Sequence, residues 1–249
     1  MKATLLALKD LLVAALYPFF VLLTRHMQRS GLILGAYYFP EGSVVSFSST
    51  FAAAKTVSAV TNANPAVATV TGHGYSDDDI VLFDSGWEDA TDSCYKIEET
   101  DANTLNVHGL NSTNTTFMAS GSGTGSMYKV SSWVTIPQIL SISSSGGDAR
   151  FTEIAPLAKR NTVKIPTGFN ATSITLTLGH DPDDANYVSM LAIARAGTKV
   201  ALKVAVGGGA VVYGYGYLMV SEMPSMSQNQ VNTVQASFSL LGRAVSYAA

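Results

Sequence analysis

The residues of this chain that carry reactive chemistry are few and scattered. Asp77-Asp78-Asp79, Asp84, Glu88, Asp89 and Asp92 would offer oxygen ligands to a hard cation, but they lack the alternating Asp-x-Asp-x-Asp-Gly spacing of a calcium loop. They read as a solvated acidic rim. His73 sits between two glycines and His108 precedes Gly109. Neither has a second His or Cys at a metal-binding spacing. His180 lies just before a helix start and reads as a local hydrogen-bonding residue. Cys94 is the only cysteine, which excludes an intramolecular disulfide and a multi-cysteine metal cluster. Its acidic and polar flanks favour a raised thiol pKa. No Gly-x-Ser-x-Gly elbow is present for acyl transfer. The glycine runs at 121–125 and 207–209 lack the Gly-Lys-Ser/Thr of a phosphate loop. The three glycosylation sequons, at Asn111, Asn114 and Asn170, are expected by chance in so Ser/Thr-rich a chain. No enzyme, metal or cofactor is expected.

Composition agrees with a non-catalytic β protein. The 249 residues are 47% hydrophobic and 13% charged, about half the usual share of charge, which excludes a disordered polar chain. A net charge of −3 excludes an overall basic protein held to nucleic acid by charge. The charge is unevenly spread: residues 1–61 carry a net +3, residues 62–129 a net −8 and residues 130–249 a net +2. The middle segment therefore reads as an acidic module set into a nearly neutral frame.

Period-two alternation dominates the last 120 residues. Val134, Ile136, Leu140 and Ile142 form one strand face, with Thr135, Ser141 and Ser143 on the other. Ile174, Leu176 and Leu178 alternate with Ser173, Thr175 and Thr177. Val200, Leu202, Val204 and Val206 alternate with Lys199, Ala201, Lys203 and Ala205. Val234, Ala236, Phe238 and Leu240 alternate with Thr233, Gln235, Ser237 and Ser239. Such alternation marks half-buried antiparallel strands. Gly207-Gly208-Gly209 is a predicted hairpin turn. One helix is predicted, with Asp181 as N-cap, Pro182 in the first helical position, Tyr187, Leu191 and Ala194 on one face, and Gly197 ending it.

Before that, turn signals recur about every ten residues from 42 to 129, as in a small β-barrel. Strands are predicted at Val44–Phe47, Lys55–Val60, Val67–Val70, Ile80–Phe83, Tyr95–Glu98 and Thr104–Val107, and Gly121–Ser126 reads as a flexible connector. Residues 3–24 are apolar apart from Lys9 and Asp10, and the uninterrupted run from Leu11 to Thr24 is 14 residues, short of the roughly 20 that span a bilayer. No small-x-small cleavage site follows. Three readings stay open: an upstream start with the native chain beginning at Met27 or later, an apolar arm that docks on a neighbouring subunit, and a signal or membrane anchor.

Several strands pair an apolar face with a Ser/Thr/Gln face that has almost no charge. An exposed sheet of a monomer ordinarily carries more Lys and Glu. An uncharged hydroxyl face suits either a subunit interface or a polar passage through which DNA slides without binding, since Lys and Arg hold phosphates.

From about residue 41 to 243 the chain resembles tail tube proteins of long, non-contractile bacteriophage tails. The matching stretches occur in order: Asn64-Pro65-Ala66-Val67-Ala68-Thr69; Gly72-His73-Gly74-Tyr75 with Asp77, Asp79, Ile80 and Val81; Ser85-Gly86-Trp87; Gly121 to Ser126; Trp133 with Ile136, Gln138 and Leu140; Ser145-Gly146-Gly147; Pro166-Thr167; Asp181-Pro182; Gly216-Tyr217; Glu222-Met223-Pro224-Ser225; Asn229 to Val231; and Phe238 to Arg243. Family members usually begin near Pro40-Glu41-Gly42-Ser43, so the resemblance says nothing of residues 1–37.

The resemblance implies a mainly β fold: a tail-tube β-sandwich with one packed α-helix (39–61 and 130–249) and an inserted small β-barrel domain (62–129); the apolar N-terminal extension (1–38) is read from its own residues. It also implies homo-hexameric rings that stack into a hollow tube passing DNA without tight binding. Expected partners are a tape measure protein in the lumen before ejection, and tail terminator and distal tail proteins at the tube ends. The setting would be a virion tail, made in the host bacterium's cytoplasm. On this basis Ser173, Thr175, Thr177, Thr233, Gln235, Ser237 and Ser239 are candidate lumen-facing residues. The loop of 146–165, with Arg150, Lys159, Arg160 and Lys164, is expected to reach an adjacent ring or subunit. Lys199 and Lys203 belong at a subunit interface or the outer face. The alternatives are a secreted or surface-anchored adhesin-like β-sandwich, and the same tube in a phage-derived bacteriocin or gene transfer particle.

Overall fold

Alternating strands need partners on both edges and a cover for their apolar face, and this chain supplies both with two large antiparallel sheets. The structure is a computed structural model and describes residues 41–158 and 160–248. The predicted N-terminal extension lies outside the described residues, as does Lys159.

The first sheet has eight strands. They are β1 (Val44–Ser48), β9 (Val134–Thr135), β10 (Ile139–Ser145), β13 (Ser173–Gly179), β14 (Lys199–Ala205), β15 (Val211–Val220), β16 (Thr233–Leu240) and β17 (Val245–Tyr247). Their order is β10-β13-β16-β15-β14-β1-β9, with β17 pairing β15. Every pairing among them is antiparallel. Residues from both ends of this order share one core: Val45, Phe47 and Ile136 lie with Leu176, Leu178, Val200, Leu202, Leu218, Val234, Ala236 and Phe238. A sheet whose two ends meet in one core is curled on itself, as right-handed twist favours.

Helix α1 (Ala185–Ala196) closes the core with Tyr187 and Met190. Its start differs from expectation. Asp184, in extended conformation, is the N-cap and accepts from the Tyr187 N–H. Asp181, expected as the cap, instead accepts the Asp183 N–H and the Gln138 amide. Asp181-Pro182-Asp183 thus forms a turn ahead of the helix, because the first turn is anchored by the later aspartate. The C-terminus is as predicted: Gly197 has φ 61° and its N–H reaches the Ala194 carbonyl.

The second sheet has seven strands in the order β2-β8-β5-β6-β7-β4-β3. These are β2 (Lys55–Val57), β3 (Ala59–Val60), β4 (Ala66–Thr69), β5 (Ile80–Ser85), β6 (Ser93–Asp101), β7 (Thr104–His108) and β8 (Gly125–Lys129). The single strand expected over Lys55–Val60 is split, because β2 pairs with β8 and β3 with β4. The core of this sheet holds Val81, Phe83, Trp87, Ile97, Leu105, Val107 and Met127.

Three further expectations are corrected. Gly121–Ser126 is no flexible connector: Gly125 opens β8, where a Cβ would strike the Asp84 carbonyl, and a Cβ on Gly123 would come within 2.8 Å of the Trp87 ring. These glycines allow close approach. The face expected to run from Val134 to Ile142 is interrupted, since Gln138 has φ 49° and the register shifts between Ile139 and Ser141. Ile136 is buried, but Leu140 and Ile142 are exposed on the edge strand. Finally, the loop expected over 146–165 is a two-stranded hairpin of β11 (Ala149–Ile154) and β12 (Val163–Phe169).

Candidate functional surfaces

The face of the curled sheet that points away from its core divides into an open half and a covered half. Directly opposed residues of an antiparallel pair share a face, so the register assigns it residue by residue. Ser141, Ser143 and Ser145 of β10 oppose Thr177, Thr175 and Ser173 of β13. Those in turn oppose Gln235, Ser237 and Ser239 of β16, and Thr233 opposes Gly179. Tyr217 and Met219 of β15 continue the row beside Ser239 and Ser237. All seven residues singled out as lumen candidates therefore stand on one continuous face: Gln235, Ser237 and Ser239 are exposed, and Ser173, Thr175, Thr177 and Thr233 are half-buried. None of these positions carries a charge.

Charge begins where that field ends. Lys199 opposes Tyr217, and its Nζ lies 5.9 Å from the Tyr215 ring centroid and 6.0 Å from that of Tyr217. Lys203 Nζ lies 5.9 Å from the Trp133 ring. Such placement over aromatic rings steadies a cation and keeps both amines beside the covered half. There Ala201, Tyr213 and Tyr215 pack against Ile80, Leu82 and Cys94 of the second sheet.

The last strand fastens the two sheets together. β17 pairs with β15, while Val245 is buried in the second sheet's core. The Tyr247 hydroxyl accepts the Lys96 N–H at 2.9 Å and donates to the His108 carbonyl at 2.7 Å. Arg243 reaches Asp89 at 2.8 Å, and its N–H donates to Ser93 Oγ. Burial pushes the Tyr247 phenol well above its ordinary pKa, which keeps the donor protonated. The sequence shows no signal for this clamp, because its partners lie about 150 residues away.

The titratable groups build structure. His73 is buried, with Nδ1 accepting the Tyr75 N–H and Nε2 donating to the Asp101 carbonyl. The acidic rim is exposed at Asp77, Asp78, Asp84 and Glu88 and is also paired: Asp78 with Lys96 at 2.9 Å, half-buried Asp79 with Lys129 at 2.6 Å, and Asp77 accepts the Glu99 N–H. Hydrogen bonds from Asn106 and His108 hold the Glu98 carboxyl below its usual range, and bonds from Thr104 and the Asn103 N–H do so for Asp101. His180 stacks edge-on against Tyr187. Burial, rather than the acidic flanks, pushes the Cys94 thiol up to about 12. No group of three or more potential metal ligands occurs among the described residues.

The β11–β12 hairpin is a second surface. The residues of its two strands are exposed apart from half-buried Gly168. Ile154 opposes Val163 and Thr152 opposes Ile165 on one face; Glu153 opposes Lys164 and Phe151 opposes Pro166 on the other. Phe151, Ile154, Leu157, Val163, Ile165 and Phe169 are large apolar side chains left in solvent. Arg150, Arg160 and Lys164 are exposed on the same projection. The alternation Val163-Lys164-Ile165 after the Gly146-Gly147 turn was the available sequence signal for this hairpin.

The described residues thus form two antiparallel sheets clamped together by β17, with an uncharged open face and an exposed hairpin. A family model described as "Phage tail tube protein, TTP" matches residues 85–249. The chain belongs to this family, and its role is that of a structural component of the virion tail rather than an enzyme. Solved structures similar to it include the tail of an empty gene transfer agent (GTA) particle refined with C6 symmetry, at 16% identity and a TM-score of 0.38 over 47% of this chain and 88% of that one. A native GTA virion matches at 16% identity and a TM-score of 0.37, over 47% of this chain and 89% of that one. No curated protein matches.

Proposed function

We propose that this chain forms homo-hexameric rings that stack into the hollow tube of a long, non-contractile phage tail, and that DNA passes through the lumen without tight binding. The observation that carries this reading is the open half of the outer sheet face, where Ser173, Thr175, Thr177, Thr233, Gln235, Ser237 and Ser239 form one uncharged field. Six such fields turned inward would line a polar channel free of the cations that retain phosphate. The curled sheet supports this arrangement. Its open half and its covered half point in different directions, so the segment near 62–129 would stand on the tube's outside while β10, β13 and β16 face the axis.

The edge strand β10 leaves unpaired backbone groups, which lateral joining of sheets into a closed inner barrel would satisfy. The hairpin with Arg150, Arg160 and Lys164 would reach the adjacent ring, Lys159 with it. The lumen would hold a tape measure protein before ejection, with terminator and distal tail proteins at the two ends. Assembly would follow synthesis in the host's cytoplasm. In this reading 39–61 and 130–249 form the tube domain and 62–129 the inserted domain, corrected in that β2 and β3 (55–60) pair into the second sheet and so go with the inserted domain; 1–38 would extend the tube domain. Intact-mass spectrometry with subunit counting on purified particles tests the proposal. A copy number in the hundreds agrees with it, and absence from the particles contradicts it.

A further inference from the structure

The strands of the hydroxyl field have two different ends. At one end β10 leads through the β11–β12 hairpin into β13. At the other, β13 leads into the 180–184 turn, and β15 is joined to β16 by residues 221–232. The end with the hairpin is apolar and basic: Phe151, Ile154, Leu157, Val163, Ile165 and Phe169 are exposed, and segment 146–172 carries four basic residues against Asp148 and Glu153. Arg150, Arg160 and Lys164 enter no ion pair among the described residues.

The opposite end is apolar and acidic. Met223 is 76% exposed, Met226 67% and Val231 68%. Asp181, Asp183, Asp184 and Glu222 lie there in segments 180–184 and 221–232, which contain no Lys or Arg. His180, the one other titratable group of these segments, is half-buried against Tyr187. From α1, Arg195 binds Glu222 at 2.7 Å. Asp183 is exposed and lies outside every ion pair described.

We infer that the 221–232 loop and the 180–184 turn form the socket for the β11–β12 hairpin of a second copy of this chain in the next ring. This rests on the tube reading and names the receiving surface. The two patches match in kind, apolar against apolar and basic against acidic, and lie at opposite ends of the same strands. A contact between different ends is head-to-tail and propagates along one axis without closing. An isolated two-stranded hairpin is marginal in water, so docking also supplies the hairpin with the apolar cover it lacks. Methionine suits such a socket, since its flexible thioether adapts to an incoming surface.

The test uses the full chain and paired cysteines, Val163→Cys with Met226→Cys, under mild oxidation. Cys94 is buried and stays silent. The expected result is a ladder of disulfide-linked multimers on a non-reducing gel, formed only under conditions where electron microscopy shows tubes. Val163→Cys or Met226→Cys alone should give no ladder. In parallel, Arg160→Glu with Lys164→Glu should raise the concentration needed for tube growth roughly tenfold, as expected when several weak exposed pairs are lost together. Adding Asp183→Lys should restore most of it. A circular dichroism melt unchanged from the parent chain shows that each variant folds. Tubes without a ladder, or a charge reversal that Asp183→Lys does not rescue, would overturn the socket while leaving the tube intact. A parent chain that never forms tubes would overturn the tube reading itself, and the socket with it.

Discussion

The hydroxyl of Tyr247 donates to the carbonyl of His108 at 2.7 Å, linking the third residue from the C-terminus to the end of β7. The same oxygen accepts the Lys96 N–H, so one phenol satisfies two backbone groups of the second sheet while its own strand pairs with the first. Tyr247→Phe would leave both groups unpaired in a partly buried setting, at a cost of about 1–3 kcal/mol. The expected outcome is loosened docking of the second sheet: faster hydrogen exchange in β6 and β7 with β13 and β16 unchanged. A uniform change across both sheets would contradict the clamp.

Lysines placed in the hydroxyl field should change what the lumen does and leave the fold alone. Thr175 and Ser237 are cross-strand partners on the open face. Substitutions on such a surface usually shift stability by less than about 0.5 kcal/mol. Thr175→Lys with Ser237→Lys should give particles of normal morphology that eject DNA slowly, with the delay shrinking as salt rises. Ejection at the parental rate at low salt would argue against a lumenal position.

Cys94 should be inert in the folded chain. With its pKa raised to about 12 by burial, only about one thiol in ten thousand is ionised at pH 8. Alkylation by iodoacetamide should therefore be negligible in buffer and complete in denaturant. Rapid labelling of the native protein would show that the contact between Ala201, Tyr215 and the second sheet opens readily.

The second sheet should weaken in acid. Hydrogen bonds hold Glu98 and Asp101 below their usual pKa values. A carboxylate with a depressed folded-state pKa adds stability that is present above its unfolded value, near 4, and lost as pH falls through the folded value. Melting temperature should fall below about pH 4, and Asp101→Asn should flatten that dependence. An unchanged acid limb in Asp101→Asn would show that the pH response arises elsewhere.

What was legible in the sequence was whatever depends on neighbours a few residues apart. The alternation of β13 and β16 placed Leu176, Leu178, Val234, Ala236 and Phe238 in the core and their hydroxyl neighbours outside. The Gly207–Gly209 turn and the Gly197 helix end were equally local. The failures have long-range causes. The break at Gln138 comes from where β9 and β10 must pair, since β9 joins β1 and β10 joins β13. Gly123 and Gly125 read as a linker because the surfaces they approach, Trp87 and Asp84, are about 40 residues away. The exposed hairpin read as a loop because isolated strands carry no core signature. The clamp of Arg243 and Tyr247 was invisible for the same reason.

The most direct test of the central claim is a helical reconstruction of assembled tubes by electron microscopy, read for the radius of each strand face. The account predicts that Ser173, Thr175, Thr177, Gln235, Ser237 and Ser239 lie at the smallest radius, with Trp87 and the rest of the second sheet at the largest. Tubes in which those hydroxyls face outward, or pack inside a subunit contact with charged residues at the axis, would contradict it.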